Sequence, residues 1–137
     1  MRSTSIASIL VLLGAALLQV PYTRAANAAA NADATAGQKV FARCAGCHST
    51  QPGQNEVGPS LAGVFGRESG SAPGFSYSPA LKDAHLVWDE PALDKFLTNP
   101  SGAVRGVRMF FALPNADQRR EVIAYLETLS PPSAPSK

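Results

Sequence analysis

A chain of 137 residues has room for one domain of ordinary size and excludes two. Its 12 Lys and Arg stand against 10 Asp and Glu and are scattered, which excludes the basic patch that nucleic-acid binding needs. Only two cysteines, Cys44 and Cys47, are present, and the loop they could close is too small for a disulfide to restrain a domain.

The chain opens with one charge at Arg2, an apolar run from Ile6 to Leu18, and small-residue sites at Ala26-Asn27-Ala28 and Ala30-Asn31-Ala32. That order reads as a secretory signal peptide over residues 1–25, cleaved somewhere in 25–32. The run is shorter than the roughly 20 apolar residues that span a bilayer, so no stable membrane anchor is expected. Cleavage removes Arg2 and Arg24 and leaves ten basic and ten acidic residues, a near-neutral product in a periplasmic or secreted location. Residues 26–34, mostly Ala with Asn and Asp, read as a disordered linker, 35–129 as the folded domain, and 130–137 as a disordered Pro/Ser tail.

Three main helices are predicted, an all-α class. The first covers about Thr35 to Ala45, with Gly37, Val40, Phe41 and Cys44 on one face. The second starts after Asp89 as N-cap, turns Leu93, Phe96 and Leu97 inward, and ends before Pro100. The third starts at Asn115, with Gln118 three residues on. It buries Val122, Tyr125, Leu126 and Leu129 and leaves Arg119, Arg120 and Glu121 in water. Residues 49–88 form a Gly-, Pro- and Ser-rich stretch without clear strand alternation, long enough that it must wrap something. So little helix and so much loop leave the domain short of core, and a large buried cofactor would supply it.

Cys44-Ala45-Gly46-Cys47-His48 matches C-x-x-C-H, the attachment signature of a covalent haem c. Two thiols at that spacing can each add to one vinyl group of a porphyrin, and the following imidazole can ligate the iron. A zinc half-site or a redox dithiol are the alternatives. The first lacks ligands beyond His85 and carboxylates, and the second lacks a βαβ pattern. For the second axial position, Met109 is the only methionine left after Met1 is removed, and a thioether ligand favours ferrous iron. His85 is the competing candidate, against its plainer reading as a solvated surface residue.

These blocks, in this order, resemble class I c-type cytochromes of the mitochondrial and bacterial short type, over about Gly37 to Leu129. Gly37 and Phe41 resemble the first-helix residues that pack on Tyr125 and Leu126. Val57-Gly58-Pro59 through Gly66-Arg67, then Ala72 to Ser78 and Trp88, follow as they do in that family. The resemblance implies the cytochrome c fold around one covalently bound haem c. It implies iron ligation by His48 and Met109, a Pro59 carbonyl on the second nitrogen of His48, and Arg67, Tyr77 and Trp88 at the haem propionates. It also exposes departures, because Phe96, Leu81 and Val107 stand where the family tends to carry Tyr, Asn and Thr. The pocket should be drier for it.

The expected function is that of a soluble, monomeric one-electron carrier and not an enzyme. Its donor would be a membrane oxidoreductase or periplasmic dehydrogenase, and its acceptor a terminal oxidase or reductase. A dedicated haem subunit of a periplasmic dehydrogenase, or a haem peroxidase or gas sensor, are the alternatives. Most lysines of the family's docking ring are absent. Arg43, Arg105 and Arg108 remain as candidates near the haem edge, with Phe110 and Phe111 as apolar contacts.

Overall fold

The computed structural model describes residues 20–130, which form five helices and, among those residues, no strand longer than a single antiparallel bridge between Glu68 and Val87. Residues 1–19 of the expected signal peptide (1–25) and residues 131–137 of the expected tail (130–137) lie outside the described residues, whereas residues 20–25 begin the first helix.

Helix α1 spans Val20–Phe41, well upstream of the expected start at Thr35. It runs through the alanine-rich stretch expected as a disordered linker. Alanine has the highest intrinsic helix propensity, and a segment poor in apolar side chains can still propagate a helix already nucleated on the domain. Asp33 holds this extension to the last helix through Arg120 Nε at 3.3 Å. The helix stops at Phe41, and residues 42–47 continue as turns rather than as helix to Ala45.

Two four-residue helices, α2 (Pro79–Lys82) and α4 (Pro100–Ala103), were not expected. Each has a proline at its start and a polar cap just before it. Ser78 Oγ accepts from Leu81 N at 3.3 Å, and Asn99 Oδ1 accepts from Gly102 N at 3.0 Å. Helix α3 (Glu90–Thr98) is capped by Asp89, which accepts from Ala92 N at 2.9 Å, and buries Leu93, Phe96 and Leu97 as expected. Helix α5 (Ala116–Thr128) is capped by Asn115, which accepts from Gln118 N at 2.9 Å.

Arg119 departs from its expected place in water. Its side chain is only 10% exposed, pairs with Asp94 of α3 at 2.6 Å, and donates to the carbonyls of Leu113 and Pro114. Helical periodicity assigns a face from residue type, and an arginine that can satisfy its donors at a helix crossing is read wrongly by that rule.

Helices α1 and α5 pack against each other, with Phe41 and Tyr125 rings 5.3 Å apart. A Cβ on Gly37 would overlap the Glu121 carbonyl, so only glycine permits this approach. The core is built on Leu113 and Val122, the most deeply buried side chains, together with Trp88, Phe96, Ile123 and Leu126.

Candidate cofactor site

The turns that follow α1 bring the attachment motif together. Cys44 N and Ala45 N both bond to Phe41 O, and Cys47 N and His48 N both bond to Cys44 O at 3.0 Å. This compact stack places Cys44, Cys47 and His48 on one wall of a single cavity of about 690 Å³. The two cysteines form no disulfide. Burial pushes the Cys44 thiol above its ordinary pKa, and the neighbouring Arg43 charge partly opposes it.

His48 is oriented from behind. Its Nδ1–H donates to the Pro59 carbonyl at 2.8 Å, which leaves Nε2 as the lone-pair nitrogen. The segment that supplies this carbonyl is tied down by Gly58 N to Cys47 O and Leu61 N to Ser49 O, at 2.8 and 2.9 Å. Gly58 lies so close to the imidazole that a Cβ would come within 2.8 Å of Nε2.

The remaining walls come from α3, α5 and the long loop. They are mostly apolar, with Trp88, Leu93, Phe96, Leu97, Val107 and Leu126 among them. Phe96, Leu81 and Val107, the three departures from the family pattern, all line this cavity. Met109 lines it too, half-buried, in the segment before α5. His85 does not line it. It is an exposed residue with φ of 49° whose Nδ1 meets Glu68 at 3.2 Å.

Away from the cysteine wall, Arg67, Tyr77 and Trp88 form one polar group in the cavity. Tyr77 and Trp88 are buried beside Arg67, whose Nη1 and Nη2 donate to the Ala62 and Ser60 carbonyls at 3.0 Å. Arg67 Nε is buried and has no hydrogen-bond partner. Burial raises the Tyr77 phenol pKa, and the Arg67 charge draws it part of the way back. An unpartnered guanidinium N–H in an apolar cavity is costly unless an anion meets it. A large apolar cavity with two thiols and an imidazole on one wall and an unmet cation at another therefore fits a porphyrin with its carboxylates. Among the described residues no group of three or more His, Cys, Asp or Glu could hold a metal ion, so the zinc alternative has no ligand set there.

One part of the site was not foreseen. Asn55 clamps the loop, with Oδ1 accepting from Ser60 N at 3.0 Å and Nδ2 donating to the Pro73 carbonyl at 2.9 Å. Its place in a turn-rich stretch was the one available signal. Of the arginines expected near the haem edge, Arg43 and Arg108 line the cavity, whereas Arg105 is exposed and does not.

Fold and site together define an all-α protein that carries one covalently bound haem c. Residues 34–130 match the family model described as cytochrome c. The chain is 50% identical over 99 residues to cytochrome c of Euglena viridis, covering 71% of this chain and 97% of that protein. It is 48% identical to cytochrome c2 iso-2 of Magnetospirillum molischianum, covering 72% and 99%. Among solved structures it resembles cytochrome cH from Methylobacterium extorquens, with a TM-score of 0.66 and 41% identity over 70% of this chain and 98% of that one. The chain belongs to the cytochrome c family, whose members carry electrons on a haem c.

Proposed function

We propose that this protein is a periplasmic one-electron carrier whose haem c iron is ligated by His48 and Met109 and which catalyses no reaction of its own. The observation that carries this reading is the convergence of Cys44, Cys47, His48 and Met109 on one apolar cavity, with the His48 ring already oriented by Pro59.

When bound, the haem supplies an iron that cycles between the ferrous and ferric states. The chain's own residues determine how well that cycle runs. Cys44 and Cys47 would hold the porphyrin as thioethers, each thiol adding its S–H across one vinyl group. Pro59 makes His48 a better donor by accepting its second N–H. Met109, on the same cavity, would supply a thioether as the second protein ligand to the iron. Arg67, with Tyr77 and Trp88, offers donors to the propionates, which are expensive to bury bare. The apolar walls exclude water, and no residue lining the cavity is a carboxylic acid that could serve acid–base chemistry there.

The N-terminal charge, apolar run and small-residue sites support secretion. Among the described residues no helix is long and apolar enough to cross a membrane. Partners are redox proteins, with a membrane oxidoreductase or periplasmic dehydrogenase as donor and a terminal oxidase or reductase as acceptor.

The test is the absorption spectrum of the reduced, matured protein with and without carbon monoxide. An unchanged spectrum is expected, because a closed His/Met iron offers no site for the gas. A shifted Soret band would overturn Met109 as a firm ligand and the carrier reading with it.

A further inference from the structure

Val57, Gly58, Pro59 and Leu61 all line the cavity, and Ser60 in their midst does not. Ser60 is nevertheless only 4% exposed, and each of its polar atoms is bonded. Its amide donates to Asn55 Oδ1 at 3.0 Å, and its carbonyl accepts from Arg67 Nη2 at 3.0 Å. Its hydroxyl donates to the Gln51 carbonyl at 2.6 Å and accepts from Ala62 N at 3.2 Å. The electron-carrier reading gives that hydroxyl no part, yet it braces the chain on both sides of residues 59 and 60.

The carbonyls of those two residues have separate duties. Pro59 O accepts from His48 Nδ1, whereas Ser60 O accepts from Arg67, whose Nε is buried without a partner. Arg67 also donates to the carbonyl of Ala62, the residue whose amide the hydroxyl holds. We infer that Ser60 is a positioning residue that fixes, from outside the cavity, both the imidazole of His48 and the guanidinium of Arg67. One hydroxyl then governs the iron ligand and the cation offered to the haem carboxylates. The inference rests on His48 and Arg67 facing the haem as proposed above. Without the hydroxyl Ala62 N loses its acceptor, and the Gln51 carbonyl keeps only Gln54 N, at 3.2 Å. Leaving a buried amide unmet shifts a local opening equilibrium by about ten- to a hundredfold.

NMR of the reduced, matured, isotope-labelled protein tests it at the two side chains themselves. In Ser60→Ala the His48 Nδ1–H and the Arg67 Nε–H should both exchange with water about ten- to a hundredfold faster than in the unaltered protein. Both proton resonances should also move, because the acceptor of one and the seat of the other have shifted. Unchanged exchange at both protons would overturn the inference. So would a change at only one of them, which would deny Ser60 joint control. A merely structural hydroxyl would lower the denaturation midpoint and leave both resonances in place, and that result would overturn it too. A Soret band shifted by carbon monoxide in the unaltered protein would remove Met109 from the iron. The Ser60 test would stand apart from that failure, since neither proton belongs to Met109.

Discussion

Gly58 bears on His48 more directly than any side chain does. A Cβ there would lie 2.7 Å from Nδ1 and 2.8 Å from Nε2, inside the contact distance of any real pair, so the ring or the loop must move. Gly58→Ala should lower the yield of protein with covalently bound haem and shift the reduction potential of what forms. Haem content per chain and a redox titration measure both, and a normal yield at an unchanged potential would contradict the argument. Tyr77 makes a second prediction at this scale. Burial raises its phenol pKa in the folded state, with Arg67 opposing, so the folded protein holds the phenolic proton more tightly than the unfolded chain does. That stability is fully present below the ordinary tyrosine value near pH 10 and is lost as pH rises through the folded value. Denaturant midpoints should therefore fall above about pH 10, and Tyr77→Phe should flatten that fall. An equally steep fall in Tyr77→Phe would show that another group is responsible. Cys44, Cys47, His48 and Met109 were legible as site candidates because residue type and spacing carry their chemistry. Asn55 was not, because its tie to the Pro73 carbonyl joins positions that only the folded backbone brings together.

Among the elements, the crossing of α1 and α5 carries most of the helical packing, and its closeness depends on Gly37. Its Cβ substituent would strike the Glu121 carbonyl and come within 2.9 Å of Tyr125 Cβ, and neither backbone can yield without parting the Phe41–Tyr125 ring pair. Gly37→Ala should destabilise the domain by about 2 kcal/mol despite alanine's better helix propensity, as overpacking in a tight contact does. A denaturant titration that finds Gly37→Ala as stable as the parent would refute this. The link between α3 and α5 adds an ion pair to its apolar contact. Arg119→Met would leave Asp94 unpaired and the Leu113 and Pro114 carbonyls short of a donor, at a cost of about 2 kcal/mol. Unchanged stability of Arg119→Met would mean that water replaces all three contacts. The caps at Asp89 and Asn115 made α3 and α5 readable, since each cap is a local signal followed by an apolar stripe. The start of α1 was misjudged because alanine lowers the cost of helix without supplying an apolar pattern. Helices α2 and α4 are single turns begun by a proline and a cap, too short for any periodicity to appear.

At the scale of the whole molecule, charge and apolar surface are distributed unevenly around the cavity. Twelve basic residues against ten acidic ones leave the chain close to neutral, so long-range attraction to a charged partner is weak. Arg43, Arg67 and Arg108 line the cavity and no carboxylate does. Beside them stand two large apolar side chains that also line the cavity and remain in water, Phe110 at 83% and Val57 at 78% exposure. The long loop, legible from composition as chain that must wrap something, thus contributes surface as well as cavity wall. Phe110 was legible as an apolar contact near the haem edge, whereas Val57 was not, because nothing in its local sequence marks it for exposure. A partner that meets this face gains from apolar burial, which salt does not screen, and from two or three cations, which salt does screen. Electron transfer to a protein acceptor with an acidic rim should therefore slow by less than about tenfold between roughly 0.01 and 0.1 M salt. Phe110→Ser should slow it at every salt concentration, whereas Arg108→Gln should slow it chiefly at low salt. Stopped-flow oxidation of the reduced protein across that range separates the two contributions. A steep salt dependence with Phe110→Ser as fast as the parent would place recognition in the arginines and leave Phe110 without a part in it.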